Sequence, residues 1–221
     1  MTADSIAGRL ATVHAQIVTA ATAAGRDPAT VSLVAVSKTV APERCAEALA
    51  AGQLVLGENY AQELRDKARL PSLTRARWHF IGPLQRNKVK YVVGVAELIH
   101  SVDSLPLVEE LGAHAGKHQL VQRVLLHVNI GREPQKAGIA PEDLPSLVTA
   151  TRARPELHLE GLMCLPPAAD DPRPHFAHLA QLAADHGLST LSMGMSADYV
   201  AAIAAGATLI RVGSAIFGAR G

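Results

Sequence analysis

The sequence predicts an α/β protein, a single (β/α)8 (TIM) barrel with an extra N-terminal helix. Short apolar runs rich in β-branched residues, typical of strands covered on both faces, recur eight times along the 221 residues. A helix-like segment separates each run from the next, which indicates parallel βαβ units, and eight such units close into a barrel. No Ser/Gly linker or low-complexity tract divides the chain. We therefore expect residues 1–221 to form one domain.

The first element is a helix, and strands and helices alternate after it. Ala, Leu and Gln dominate residues 6–24, and Gly25 follows as a stop signal. The strands are predicted over residues 31–37, 54–57, 79–82, 98–102, 124–129, 157–165, 190–194 and 208–212. The helices between them are predicted over residues 42–51, 60–69, 87–95, 105–117, 144–153, 174–186 and 197–205.

Composition excludes several classes of partner. The chain has 21 Lys and Arg against 20 Asp and Glu, a formal charge of +1, and its few aromatic residues offer no row of rings for stacking bases. No uncharged apolar run reaches about 18 residues. Cys45 and Cys164 lie far apart, without the spacing of zinc ligands or of a disulfide framework. We expect a cytoplasmic protein with no metal, no nucleic-acid partner and no membrane partner.

Lys38 is the most informative single residue, because it follows directly after the first predicted strand. Reactive groups in such barrels lie at the carboxyl ends of the strands. Strand alternation places Lys38 on the same side as Val34 and Val36, so its amine points into the barrel mouth if those valines face the axis. A partly desolvated amine can attack an aldehyde to form an imine. The alternative is a lysine whose ammonium extends from the strand end into solvent.

Two small-residue segments follow the last two strands. They are Gly194-Met195-Ser196 and Gly213-Ser214, at the place where barrels of this class bind phosphate. Glycine lets backbone N–H groups approach an anion, and the serine hydroxyls add donors. The alternative is that the glycines serve tight turns and the serines cap helices. An imine-forming lysine and a phosphate site at one mouth together point to pyridoxal 5′-phosphate (PLP).

Arg211 lies inside the last predicted strand, where an unpaired charge is costly. A guanidinium beside the pyridine nitrogen of PLP would keep that nitrogen unprotonated and weaken the ring as an electron sink. The alternative is a structural ion pair with an acid elsewhere in the barrel. Arg211 thus bears on whether the protein is a carrier or a catalyst.

These residues belong to segments that resemble the pyridoxal phosphate homeostasis proteins, a small PLP-binding family similar to the barrel domain of alanine racemase. The segments are 34–38 (VAVSK), 57–60 (GENY), 78–85 (WHFIGPLQ), 100–103 (HSVD), 161–163 (GLM), 191–196 (LSMGMS) and 211–220 (RVGSAIFGAR). The resemblance implies a Schiff base with PLP at Lys38 and places Arg211 opposite the pyridine nitrogen. It implies phosphate contacts from Ser196, Gly213 and Ser214, and a pocket lined by Asn59, His79 and Met193.

The resemblance also implies a role in PLP homeostasis without established turnover, and the alternative is an amino-acid racemase. Racemisation needs an acid and a base on opposite faces of the substrate. In the racemases the second face is served by a tyrosine from a C-terminal β domain, whereas this sequence ends at Gly221. None of Tyr60, Tyr91 and Tyr199 has an evident claim to that role. We therefore expect no enzymatic activity, a monomer, and only transient contact with PLP-dependent apoenzymes.

Overall fold

Eight parallel strands close into a barrel in which each strand pairs with the next along the chain. The computed structural model describes residues 4–218. Strand β8 returns to pair with β1, and their register aligns Val34 with Arg211. The predicted (β/α)8 barrel with an extra N-terminal helix is confirmed. None of the helices within residues 4–218 is both long and apolar enough to span a membrane.

The elements follow the order expected from the sequence. The strands are β1 Ser32–Val36, β2 Val55–Glu58, β3 Arg77–Phe80, β4 Leu98–Val102, β5 Gln122–Val128, β6 Leu157–Cys164, β7 Thr190–Ser192 and β8 Leu209–Val212. The helices are α1 Ile6–Ala23, α2 Pro42–Ala50, α3 Ala61–Ala68, α4 Leu105–Lys117, α5 Leu144–Arg152, α6 Pro172–Asp185, α7 Tyr199–Ala204 and α8 Ser214–Phe217.

Three predicted bounds are corrected by local chemistry. The helix predicted over 87–95 is instead a 3-10 helix, Arg86–Tyr91, and the valine-rich stretch after it reaches Gly94 at a positive φ of 76°. Helix α6 begins two residues earlier than predicted, because the Asp171 carboxylate accepts the Arg173 backbone N–H at 3.1 Å. Strand β7 ends early, since Gly194 turns the chain at a φ of 90°.

The strands bury side chains on both faces. Their outward side chains pack with the helices in one large core, and the inward side chains of Val34, Leu98, Leu125, Met163 and Leu209 form a separate apolar cluster inside the barrel. Polar side chains lie elsewhere inside the barrel, among them His79, His100, Ser192 and Arg211, each less than a tenth exposed. This polar group connects the barrel interior to the site at the mouth.

Candidate functional site

A cavity of about 290 Å³ opens at the carboxyl ends of the strands. Its walls come from residues at or just after β1, β2, β3, β6, β7 and β8. Apolar side chains such as Val36, Ile81 and Leu165 form part of the wall, and of these only Val36 was expected from strand alternation to face inward. Six of the predicted site residues line the cavity: Lys38, Asn59, Ser196, Arg211, Gly213 and Ser214.

Lys38 reaches this cavity through the alternation predicted from the sequence. Val34 lies in the apolar cluster inside the barrel, and Val36 and Lys38 both line the cavity. The side chain of Lys38 is half-buried. The Lys38 side chain is therefore at the mouth and partly withdrawn from water, the surroundings that favour an imine-forming lysine.

A buried lysine, Lys67, fixes the backbone on both sides of Lys38. Its ammonium is 2.7 Å from the carbonyl oxygen of Ser37, 2.8 Å from Glu58 Oε1 and 2.7 Å from Glu63 Oε1. The same Glu63 oxygen accepts the backbone N–H of Thr39, a residue with a positive φ of 60°. Burial alone would lower the pKa of Lys67, but the Glu58 carboxylate raises it above its usual value. Lys67 therefore stays protonated and holds the turn that carries Lys38.

The small residues predicted to bind phosphate meet at one edge of the cavity. The Ser196 and Ser214 hydroxyl oxygens are 3.5 Å apart, and both side chains are exposed at the rim. A Cβ atom on Gly213 would lie 3.3 Å from two atoms of Val36, so a larger residue would crowd the neighbouring strand. Helix α7 begins at Tyr199 and not at the predicted residue 197, which leaves Ser196 in the preceding turn. The two hydroxyls and the Gly213 backbone can surround an anion here.

Arg211 carries the second charge of the cavity wall, and it is only 4% exposed. Its guanidinium donates from Nη1 to Ser192 Oγ at 2.5 Å and from Nη2 to the carbonyl oxygen of Cys164 at 2.9 Å. Burial lowers its pKa to about 10, so the group is still protonated at neutral pH. Within residues 4–218 no carboxylate forms an ion pair with it. The alternative considered from the sequence, a structural ion pair between Arg211 and an acidic residue, is therefore not found within residues 4–218.

His79 and Met193, which the resemblance implies as pocket residues, are not among the side chains that line this cavity. Met193 is fully buried in the core between strands and helices, because it points outward from the barrel. His79 points inward but lies deeper, with its Nδ1 2.9 Å from His100 Nε2. Burial lowers the pKa of His79 to about 4, so its ring is neutral. Strand alternation indicates a side of the sheet but not a depth in the barrel.

Comparison with known proteins adds to this geometry. The family model described as "Alanine racemase, N-terminal domain" matches residues 9–221. A pyridoxal phosphate homeostasis protein from Pseudomonas aeruginosa is 48% identical over 223 residues, which cover 98% of this chain and 96% of that protein. The chain belongs to the family of pyridoxal phosphate homeostasis proteins. The member of this family from Escherichia coli K12 is 40% identical over 98% of this chain and 97% of its own length.

Solved structures agree with the family assignment. PipY from Synechococcus elongatus is 36% identical and has been solved without PLP and with PLP bound. Each structure covers 97% of this chain and 100% of PipY, with TM-scores of 0.88 and 0.83. Alanine racemase from Corynebacterium glutamicum shares the fold at 16% identity and a TM-score of 0.68, and the match covers 96% of this chain and 61% of the racemase.

For a member of this family, the donor groups of the cavity fit a phosphorylated aromatic aldehyde. The Lys38 amine suits an aldehyde, the rim hydroxyls suit a phosphate, and Val36, Ile81 and Leu165 offer apolar contact to a ring. Arg211 has only donor groups, and it therefore suits an unprotonated ring nitrogen. All these groups line one cavity of limited volume, so one small molecule can contact them together.

Proposed function

We propose that this protein binds PLP at the barrel mouth as a Schiff base on Lys38 and acts in intracellular PLP homeostasis as a carrier without catalytic turnover. The single barrel is then one PLP-binding domain. Ser196, Gly213 and Ser214 bind the phosphate, Arg211 faces the pyridine nitrogen, and Asn59 contacts the ring. The names of the relatives and the PLP-bound PipY structure support the choice of ligand.

One observation carries this proposal. Lys38 and the buried Arg211 cation line the same cavity as two rim hydroxyls, and within residues 4–218 Arg211 forms no ion pair with a carboxylate. A buried charge without an ion-pair partner is costly, so its persistence is easier to explain if a ligand contacts it. A pyridine nitrogen held by an arginine stays unprotonated, which favours storage of the aldehyde over stabilisation of a carbanion.

The absence of turnover is supported by the ionisable groups at the site. Of the described residues that line the cavity, only Lys38 and Arg211 ionise. Racemisation needs a second group that can exchange protons on the face opposite the lysine. Arginine is a poor candidate, because its guanidinium keeps its proton near neutral pH.

The proposal includes the surroundings of the protein. We propose a cytoplasmic monomer that contacts PLP-dependent apoenzymes transiently. Both cysteines, Cys45 and Cys164, are free and buried, as is usual in a reducing compartment. Transient contact suits an imine, because this bond hydrolyses and exchanges with other amines when water can reach it.

Borohydride trapping tests the role of Lys38. The wild-type protein mixed with PLP is expected to show an imine absorbance band and, after reduction, one pyridoxyl group on the peptide that contains Lys38. Lys38→Ala should lose both the band and the label while its circular dichroism spectrum is retained. Lys117→Ala, an exposed lysine on α4, is the matched control and should label like the wild type. Undiminished labelling of another lysine in Lys38→Ala would overturn the assignment.

A further inference from the structure

A chain of hydrogen bonds runs from Arg211 into the barrel interior and crosses from β8 to β3. Arg211 Nη1 is 2.5 Å from Ser192 Oγ on β7. The same oxygen is 2.8 Å from His100 Nδ1 on β4, and His100 Nε2 is 2.9 Å from His79 Nδ1 on β3. All four side chains are less than a tenth exposed. Of these four side chains, the proposed function uses only Arg211.

The direction of each hydrogen bond follows from the chemistry of the groups. A guanidinium has only donors, so Ser192 Oγ accepts from Arg211. The Ser192 hydroxyl hydrogen then has one suitable acceptor among its partners in the described residues, His100 Nδ1. A neutral His100 carries its proton on Nε2 and donates it to His79 Nδ1. The reverse order would leave the buried hydroxyl hydrogen of Ser192 without an acceptor, which is unfavourable.

Burial keeps both imidazole rings neutral. It lowers the pKa of His79 to about 4 and the pKa of His100 well below its usual value, and the positive charge of Arg211 further disfavours protonation of His100. The chain therefore holds one fixed arrangement of protons at neutral pH. A fixed, buried chain of this kind orients the group at its end.

We propose that Ser192 and His100 are positioning residues for the cofactor, holding the Arg211 guanidinium in the orientation that faces the pyridine nitrogen. This inference rests on the proposed function. Without the Ser192 bond, the only hydrogen bond of the Arg211 guanidinium to the described residues is the one from Nη2 to the Cys164 carbonyl, about which the guanidinium can turn. The remaining N–H groups then no longer point at a fixed place in the cavity.

The test uses pyridoxine 5′-phosphate, which carries the pyridine ring and phosphate but no aldehyde and so cannot react with Lys38. Ser192→Ala and His100→Leu should each weaken its binding about tenfold, the scale of one buried hydrogen bond to a charged group. Both variants should also shift the absorption maximum of bound PLP. His100→Asn, whose amide oxygen can replace Nδ1 as the acceptor from Ser192, should restore the affinity and the wild-type maximum.

His127→Leu is the matched control. His127 is also a buried histidine inside the barrel, and the charge of Arg211 contributes to the lowered pKa of its ring, but no hydrogen bond joins it to Ser192 within the described residues. It should bind pyridoxine 5′-phosphate within about twofold of the wild type, less than the loss of one hydrogen bond. Equal losses in His127→Leu and His100→Leu would show a general packing effect and overturn the proposal.

The outcomes separate this inference from the proposed function. If wild-type protein fails to bind PLP, or borohydride labels a lysine other than Lys38, the proposed function fails. If Lys38 is labelled as expected but Ser192→Ala binds both ligands with wild-type affinity and spectrum, only the positioning role fails. If His100→Leu does not fold by circular dichroism, Ser192→Ala and His100→Asn still decide the question.

Discussion

At the scale of single residues, the rim hydroxyls test where the phosphate lies. Ser214→Asp places a carboxylate close to Ser196 Oγ, now 3.5 Å from the Ser214 oxygen. A carboxylate at this distance repels a phosphate by a few kcal/mol at intermediate dielectric, so PLP affinity should fall by about tenfold or more. Equilibrium titration followed by absorbance measures the change.

Ala215→Asp controls for added charge. Ala215 is the next residue, is exposed and does not line the cavity, so this variant should retain wild-type affinity within about twofold, as expected of a solvent-screened charge. Equal affinities of Ser214→Asp and the wild type would place the phosphate elsewhere in the cavity.

The site residues that could be predicted from the sequence are those marked by their immediate neighbours along the chain. Lys38 directly follows an apolar run, and Arg211 interrupts one, so both are visible without a fold. The partners of these residues are not visible. His100 and Ser192 are 92 positions apart, and Lys67 reaches the Ser37 carbonyl across 30 positions. Such pairings arise only when the barrel closes, and one sequence carries no record of them.

At the scale of elements, a ladder of charges joins strands β3, β5 and β6 through Glu97, the residue just before β4, on the side of the barrel opposite the site. Arg77 at the start of β3 pairs with Glu97 at 2.6 Å, and Arg123 on β5 reaches the same Glu97 oxygen at 2.5 Å. Arg123 also pairs with Glu160 on β6. Hydrogen bonds from Arg77 lower the pKa of Glu97 to about 2.

This lowered pKa predicts how stability depends on pH. A carboxylate whose folded pKa lies below its unfolded value of about 4.3 stabilises the fold fully above that value, and the contribution is lost as pH falls towards 2. Because the ladder is partly exposed, Glu97→Gln should lower the free energy of unfolding by only about 1 kcal/mol at pH 7. The difference from the wild type should shrink between pH 5 and about 3 in urea titrations.

Glu109→Gln, on the exposed face of α4, is the control for this measurement. Its free energy of unfolding should match that of the wild type at every pH measured. The prediction would be wrong if the difference in the free energy of unfolding between Glu97→Gln and the wild type stayed constant as the pH falls. Such a result would mean that the ion pairs add nothing beyond the packing of the side chain.

The eight strands themselves were within reach of the sequence, because each is a short apolar run with turn residues at its ends. Element bounds were less accessible where capping decides them. Helix α6 begins where the Asp171 carboxylate accepts one backbone N–H, and strand β7 ends because of the backbone angle of Gly194. The periodicity of apolar residues encodes neither a single contact nor a single backbone angle.

At the scale of the whole molecule, closure of the barrel assembles the site. Lys38 follows the first strand, whereas Arg211 belongs to the last strand, and Gly213 and Ser214 lie just after it, at the start of α8. These groups become neighbours because β1 pairs with β8, with Ala35 aligned to Val212. In an open sheet of the same strand order the first and last strands would lie at opposite edges, and no single ligand could touch both.

The closed barrel also limits what the site can do, which leads to the prediction that most directly separates carrier from enzyme. Lys38 and Arg211 are the only ionisable groups among the described residues of the cavity wall, and the proposed function assigns proton exchange to neither face of a bound amino acid beyond the lysine. Purified protein loaded with PLP should therefore show no racemase or transaminase turnover across common amino acids above the level of Lys38→Ala. Chiral chromatography and keto-acid assays measure this. A sustained steady-state rate that Lys38→Ala removes would establish an enzyme, and the second proton-exchanging group would then have to come from outside this wall.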